Sequence, residues 1–306
     1  GHEITLFHRG HTGKGLFEVE EVFGDRDGET DVLMGRTWDA VIDTCGYTPR
    51  VVEQSADVLS EAVGLYCFIS TISVYAEDQP LPIAETGRLL RFEKAPENEA
   101  ITGESYGPFK VLCEEAVSAI CGESKTLIVR PGLIVGPYDP TDRFTYWVDR
   151  FGGAGAILLP DRGDLQTQFI DVRDLAEFVV RMVEDKASGI YNAVGPEKAT
   201  TLGELWDACR ESAGGDARPV FVSDPFLAAN EVEDWADLPV VLSAETNRHL
   251  ADNAKALAHG LRLRPMSKTI RDTAEWHRSR GPIELKTGLS REREAELLRE
   301  WDRASG

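Results

Sequence analysis

Tyr106 and Lys110 stand four residues apart in the segment YGPFK, a spacing that stacks a phenol and an ammonium on one face of a helix. A tyrosine with a pKa near 10 is a feeble base at neutral pH, but a cation beside it favours the phenolate. Such a pair suits general acid or base work at a carbonyl or an alcohol. Upstream, the hydroxyls of Ser70, Thr71 and Ser73 follow an apolar run. Hydroxyls at the carboxyl end of a parallel strand sit where α/β folds place their ligands. Spacing alone is weak, because two unrelated surface residues on a helix also satisfy it. Context must decide.

No rival chemistry competes. The six histidines show no ligand spacing, so no metal site is expected. The five cysteines are odd in number and contain no C-x-x-C pair, which fits reduced thiols in a cytoplasmic protein.

The elements that must position these groups follow from apolar periodicity. Strands are predicted over 3–7, 39–43, 66–70, 126–130, 168–170 and 190–194, and helices over 49–63 and 105–120. Asp171 is placed as the cap of a helix through Leu175, Phe178, Val179 and Met182, and Thr201 with Glu204 as a capping box. Strands that are apolar throughout and alternate with helices imply a parallel sheet covered on both faces, a doubly wound α/β domain. Glycines at 152–155 read as a loop, and the chain beyond Asp216 as loop-rich up to a helix over 290–303. A smaller C-terminal domain completes the expected architecture.

Fifty-three acidic against 33 basic side chains give a formal charge of -20. Such a surface repels phosphate backbones and anionic lipid, so neither nucleic acid nor membrane is expected as a partner. An anionic cofactor is compatible with it, because local cations and helix N-termini hold phosphates against the mean field. No window reaches 18 apolar residues.

Five segments in order resemble the extended short-chain dehydrogenase/reductases of the NAD-dependent epimerase/dehydratase family. They are the hydroxyl-rich 70–75, YGPFK at 106–110, RPGLIVGP at 130–137, FIDVRDLA at 169–176 and GIYNAVG at 189–195. The resemblance implies a Rossmann-like domain over 1–136 and 166–195, and a substrate domain over 137–165 and 196–306. It implies that Tyr106 exchanges a proton with substrate, that Thr71 steadies the substrate oxygen, and that Lys110 binds the nicotinamide ribose. Ser70 and Ser73 are neighbours able to stand in for Thr71. Pro131 and Ile134 correspond to positions lining the nicotinamide, and Asp25 to a carboxylate that meets adenine. Arg9 stands after the strand at 3–7, where NAD-preferring relatives carry an acid, and a guanidinium there suits a 2′-phosphate. The expected cofactor is therefore NADP, with NAD as the alternative. The expected activity is hydride transfer between nicotinamide and a ketone or secondary alcohol of a small substrate. A nucleotide-sugar epimerase or dehydratase, and a non-catalytic RNA- or protein-binding relative, are the alternatives. The resemblance also suggests a homodimer.

The sequence departs from that pattern in three places. The family's first strand and its glycine-rich phosphate loop are not found, because the glycines at 10, 13 and 15 are followed by no stretch able to form a full helix. Leu133 stands where many nucleotide-sugar enzymes carry Asn. An Arg that grips the diphosphate in such enzymes has no counterpart at Thr167 or Gln168, and Arg162 and Arg173 are the nearest cations to replace it.

Overall fold

In the computed structural model, which describes residues 1–242 and 250–305, strands and helices alternate as the apolar runs predict. The chain begins with β1 (Thr5–His8), β2 (Glu20–Phe23), β3 (Trp38–Asp43), α1 (Pro49–Leu59), β4 (Val63–Ile69), α2 (Gly103–Cys121) and β5 (Thr126–Pro131). It continues through β6 (Leu133–Val135), α3 (Arg143–Gly152), β7 (Ala154–Pro160), β8 (Gln166–Thr167), β9 (Phe169–Asp171), α4 (Val172–Glu184) and β10 (Gly189–Ala193). It closes with β11 (Thr200–Thr201), α5 (Leu202–Ser212), β12 (Asp216–Val222), α6 (Asp224–Ala229), α7 (Ala254–Ala258), α8 (Met266–Ser279) and α9 (Arg291–Ser305).

Two compact units result. The first comprises Gly1–Gln79, Ile83–Pro131 and Val179–Asn192. Its four-stranded sheet has the order β10-β5-β4-β3, and β4 lies parallel to both β3 and β5. Val52, Ala56 and Leu59 of α1 and Cys113 and Val117 of α2 close on Tyr66 and Phe68 of β4, which is how an all-apolar strand sheds water. Pro49 opens α1 at a position whose N–H would go unused, and Gly122 ends α2 at a φ of 83°. Strands β1 and β2 form a separate parallel pair. Trp38 Nε1 donates to Thr5 Oγ1 at 3.2 Å, yet among the described residues no backbone ladder joins β1 to β3.

The second unit takes Pro80–Pro82, Gly132–Phe178 and the described residues from Ala193 onward. Its core gathers Phe144, Trp147 and Phe151 of α3, Leu158 of β7, Trp206 of α5 and Leu297 of α9. Three short ladders serve it, β7 with β12 and β6 with β9 in parallel, and β8 with β11 antiparallel. The Thr201–Glu204 capping box forms as expected, and Asp171 accepts the N–H of Arg173 at the start of α4.

Several expectations need correction. The helix predicted over 49–63 stops at Leu59, and Val63 opens β4. Gly64 permits that early start, because a Cβ there would meet Asp39 O at 2.9 Å. The glycine-rich 152–155 is no loop: Gly152 ends α3, and Gly155 lies in β7 opposite Ala217 of β12. The stretch beyond Asp216 holds β12 and the 14-residue α8. No helix among the described residues is long and apolar enough to cross a membrane.

Candidate active site

The carboxyl end of β4 is where the first unit gathers its candidate residues. Beyond Ile69 the backbone turns through Ser70 and Thr71 into a single 3-10 turn, Ile72–Val74. Thr71 Oγ1 accepts the N–H of Ser73 at 3.1 Å and donates to Ser73 Oγ at 3.2 Å, so the position of its oxygen is fixed by the turn that follows. Ser70 is buried and its Oγ has no partner among the described residues.

Helix α2 brings its first turns against this segment. A capping box between Thr102 and Ser105 fixes its start. Gly107 then allows an approach that no other residue would, because a Cβ there would fall 2.2 Å from Ser73 O. Tyr106 precedes this glycine, and its ring lies 6.4 Å from that of Tyr47, centroid to centroid.

One turn further along, Lys110 is 3% exposed. Its Nζ donates to Gly46 O at 2.7 Å and to Ile69 O at 2.8 Å, and lies 4.1 Å from the Phe68 ring centroid and 5.8 Å from that of Tyr47. Burial is the main influence on its acidity and brings the ammonium down to about 8. Thr71, Tyr106 and Lys110 are thus drawn toward one strand end, Tyr106 through the Gly107–Ser73 approach and Lys110 through Ile69 O.

The remaining expected residues lie elsewhere. Arg9 and Asp25, beyond β1 and β2, form a partly exposed pair at 3.7 Å. Asp25 Oδ1 also accepts the N–H of Asp27 at 3.0 Å. Pro131 is buried at the end of β5. Ile134 belongs to the second unit, in β6 opposite Ile170 of β9.

Three residues escaped the sequence reading. Gly46 and Tyr47 hold Lys110 from the loop after β3, and Asp43 ends that strand as a buried carboxylate. Burial pushes the Asp43 carboxyl upward, but the Arg26 guanidinium holds it below the usual carboxylate range. The signal was present in the sequence: a charge closing an apolar strand needs a partner.

The donor set fits part of a dinucleotide. Lys110 retains one N–H after its two carbonyl bonds, Asp25 offers a carboxylate, and Arg9 a mostly exposed guanidinium. A pyrophosphate cradle is not found among the described residues, because the loop carrying Gly10, Gly13 and Gly15 leads into β2 and not into a helix. No cluster of three His, Cys, Asp or Glu able to hold a metal occurs among the described residues.

Comparison with known proteins bears on the family and the fold. The sequence profile of the NAD dependent epimerase/dehydratase family matches residues 36–194, a little over half the chain. No curated protein matches in sequence. Among solved structures, the Bordetella bronchiseptica enzyme WbmG, in complex with NAD and UDP, is similar at a TM-score of 0.63 and 15% identity, covering 94% of this chain and 91% of that one. The UDP-N-acetylglucosamine 4-epimerase of Methanobrevibacter ruminantium M1, in complex with UDP-N-acetylmuramic acid, has a TM-score of 0.63 and 14% identity, covering 91% of each chain. RMD from Pseudomonas aeruginosa, in complex with NADPH, has a TM-score of 0.58 and 18% identity, covering 90% of this chain and 99% of that one. At such identities the likeness is one of fold.

Proposed function

Because the chain belongs to the NAD dependent epimerase/dehydratase family, we propose that it is an NAD(P)-dependent oxidoreductase acting on a ketone or secondary alcohol of a small substrate. The observation that carries this reading is the ammonium of Lys110, buried and fixed between Gly46 O and Ile69 O one turn from Tyr106. A bound nicotinamide would supply or accept the hydride. Tyr106 exchanges the proton at the substrate oxygen, and the nearby positive charge of Lys110 favours its phenolate. Thr71 turns its single hydroxyl proton from Ser73 Oγ to the same oxygen as charge develops there. Lys110 and Pro131 take the nicotinamide end, and Asp25 the adenine end.

NADP is the cofactor we favour, because Arg9 is mostly exposed and its contact with Asp25 is long. A 2′-phosphate offers that guanidinium a stronger, paired acceptor. The free state of all five thiols supports a reducing compartment, the cytoplasm. A small substrate without a diphosphate is supported by three arginines of the second unit that already have carboxylate partners. Arg162 is held by Asp224 and Asp234, Arg173 by Asp171 and Asp272, and Arg264 by Asp174. A diphosphate gripped by any of these three would have to displace its carboxylate.

A second reading, epimerase or dehydratase chemistry on a nucleotide sugar, is favoured by the shared fold with enzymes whose structures hold UDP compounds. It uses the same three residues but keeps its cofactor bound through turnover. Fluorescence titration of the full chain with NADPH and with NADH tests the cofactor claim. NADPH should bind about tenfold tighter, the worth of one charge-assisted contact. If neither binds below millimolar concentration, the oxidoreductase reading is wrong. NAD that survives purification would select the second reading.

A further inference from the structure

We propose that Arg26 is a positioning residue that ties the turn carrying Asp25 to the loop that holds Lys110, and so sets both ends of the cofactor site together. The proposal rests on the reading that this rim of the sheet takes a dinucleotide.

Arg26 follows Asp25 directly in the chain. Its guanidinium turns inward, donating from Nη1 to Asp43 Oδ1 at 2.7 Å and from Nη2 to Asp43 Oδ2 at 2.8 Å. Nη2 also donates to Ser55 Oγ of α1 at 3.1 Å, and Nη1 lies 3.6 Å from Cys45 Sγ. Asp43 is fixed in turn by the O–H of Tyr66 at 2.8 Å and the N–H of Cys45 at 3.2 Å. The next residue, Gly46, presents the carbonyl that accepts from Lys110 Nζ. Every step from Asp25 to Lys110 is therefore a covalent neighbour or a direct hydrogen bond.

An ordinary surface ion pair would be solvated and loosely held. Here the side chains of Arg26 and Asp43 are 14% and 6% exposed, and the contact is a planar fork that lysine cannot copy. The pair also acts on Lys110 through charge. Burial dominates the acidity of that ammonium, and Cys113 and Glu114 on its own helix favour the charged form. Asp43 favours it too, while Arg26 opposes it. Geometry and charge can therefore be separated by two substitutions.

The test uses the full chain with Arg26→Lys and Asp43→Asn. The readouts are the dissociation constant for NADPH by fluorescence, and the titration of Lys110 without cofactor, followed by NMR of protein labelled with 13C at lysine Cε. Arg26→Lys keeps the charge but loses the fork. It should raise the NADPH dissociation constant about tenfold, the usual effect of removing a supporting contact, and leave the Lys110 titration in place. Asp43→Asn should move the Lys110 midpoint downward by about half a unit or more. Ser55→Ala removes one acceptor from Arg26 and keeps the ion pair. It should raise the NADPH constant about threefold even where the larger changes prevent folding. Unchanged NADPH affinity in Arg26→Lys and Ser55→Ala, or an unmoved Lys110 midpoint in Asp43→Asn, overturns the proposal. If the wild-type chain itself binds no NADPH, the oxidoreductase reading fails. The Lys110 titration then still decides the link from Asp43.

Discussion

Glu114 and Glu115 are neighbours on α2, and each carboxylate meets an arginine, so replacing each by Gln compares a buried ion pair with an exposed one on the same helix. Glu114 Oε1 accepts Arg130 Nε at 2.9 Å and Oε2 accepts Nη2 at 2.5 Å, with the two side chains 4% and 1% exposed. Glu115 meets Arg91 at 2.6 Å with both side chains about half exposed. Glu114→Gln leaves a guanidinium in the core with no carboxylate, only the neutral acceptors Tyr75 Oη at 2.8 Å, Glu85 O at 3.2 Å and the amide oxygen of the new side chain. Removing one partner of such a pair destabilises by about 3–5 kcal/mol, because the remaining charge is neither solvated nor neutralised. Water replaces the lost partner of Arg91, so Glu115→Gln should change stability by less than about 1 kcal/mol. Urea unfolding followed by far-ultraviolet circular dichroism measures both. The double variant Glu114→Gln, Arg130→Met should regain part of the loss, because the stranded charge has gone. A Glu114→Gln variant within about 1 kcal/mol of Glu115→Gln would refute the account of Arg130 as a cation dependent on its partner.

Other outcomes follow from the same structure. Lys110 has a folded pKa of about 8, below its ordinary 10.5, so the folded state binds fewer protons between those values and its relative stability rises with pH there. The stability of the wild type minus that of Lys110→Met should accordingly climb by about 1 kcal/mol per pH unit just above pH 8, and a flat difference in urea unfolding between pH 7 and 10 would contradict the burial argument. Gly107→Ala must push α2 off Ser73 O, at about 1–3 kcal/mol or more, and should weaken cofactor affinity along with stability. Tyr106→Phe should abolish turnover against a panel of ketones and UDP-sugars while leaving NADPH affinity nearly intact. Retained turnover removes Tyr106 from the mechanism.

The main sheet was legible because its strands carry their burial in their composition. VGLYCFI in β4 and TLIVRP in β5 are apolar on both faces, and the intervening helices show their own period. Helix α8 was hidden for the opposite reason. Its buried face is Thr269, Ile270, Thr273 and Ala274, so three of the four residues that face the core are polar or small. The hydroxyl of Thr273 is satisfied by the carbonyl of Thr269, a bond that no hydropathy pattern announces. Strand β7 was hidden by glycine at its start and by a partner, β12, that follows much later in the chain. The residues that could exchange protons were visible as types and spacing. Their supports were not, because Arg26 with Asp43 and Lys110 with Gly46 are pairings that only the folded chain brings together.

Those supports bear on the chemistry. A lysine bound to a carboxylate would have its field largely cancelled at short range. Lys110 is instead held by two neutral carbonyls, which fix the ammonium and leave its charge uncompensated. Asp43, the carboxylate on the strand beside its loop, is itself occupied by the guanidinium of Arg26. The positive charge is therefore positioned by dipoles, while the two carboxylates that act on it, Asp43 and Glu114, are each held by an arginine. The proposed role of Tyr106 as a base depends on that charge, and β3, β4 and α2 must all be in place before Lys110 is held there.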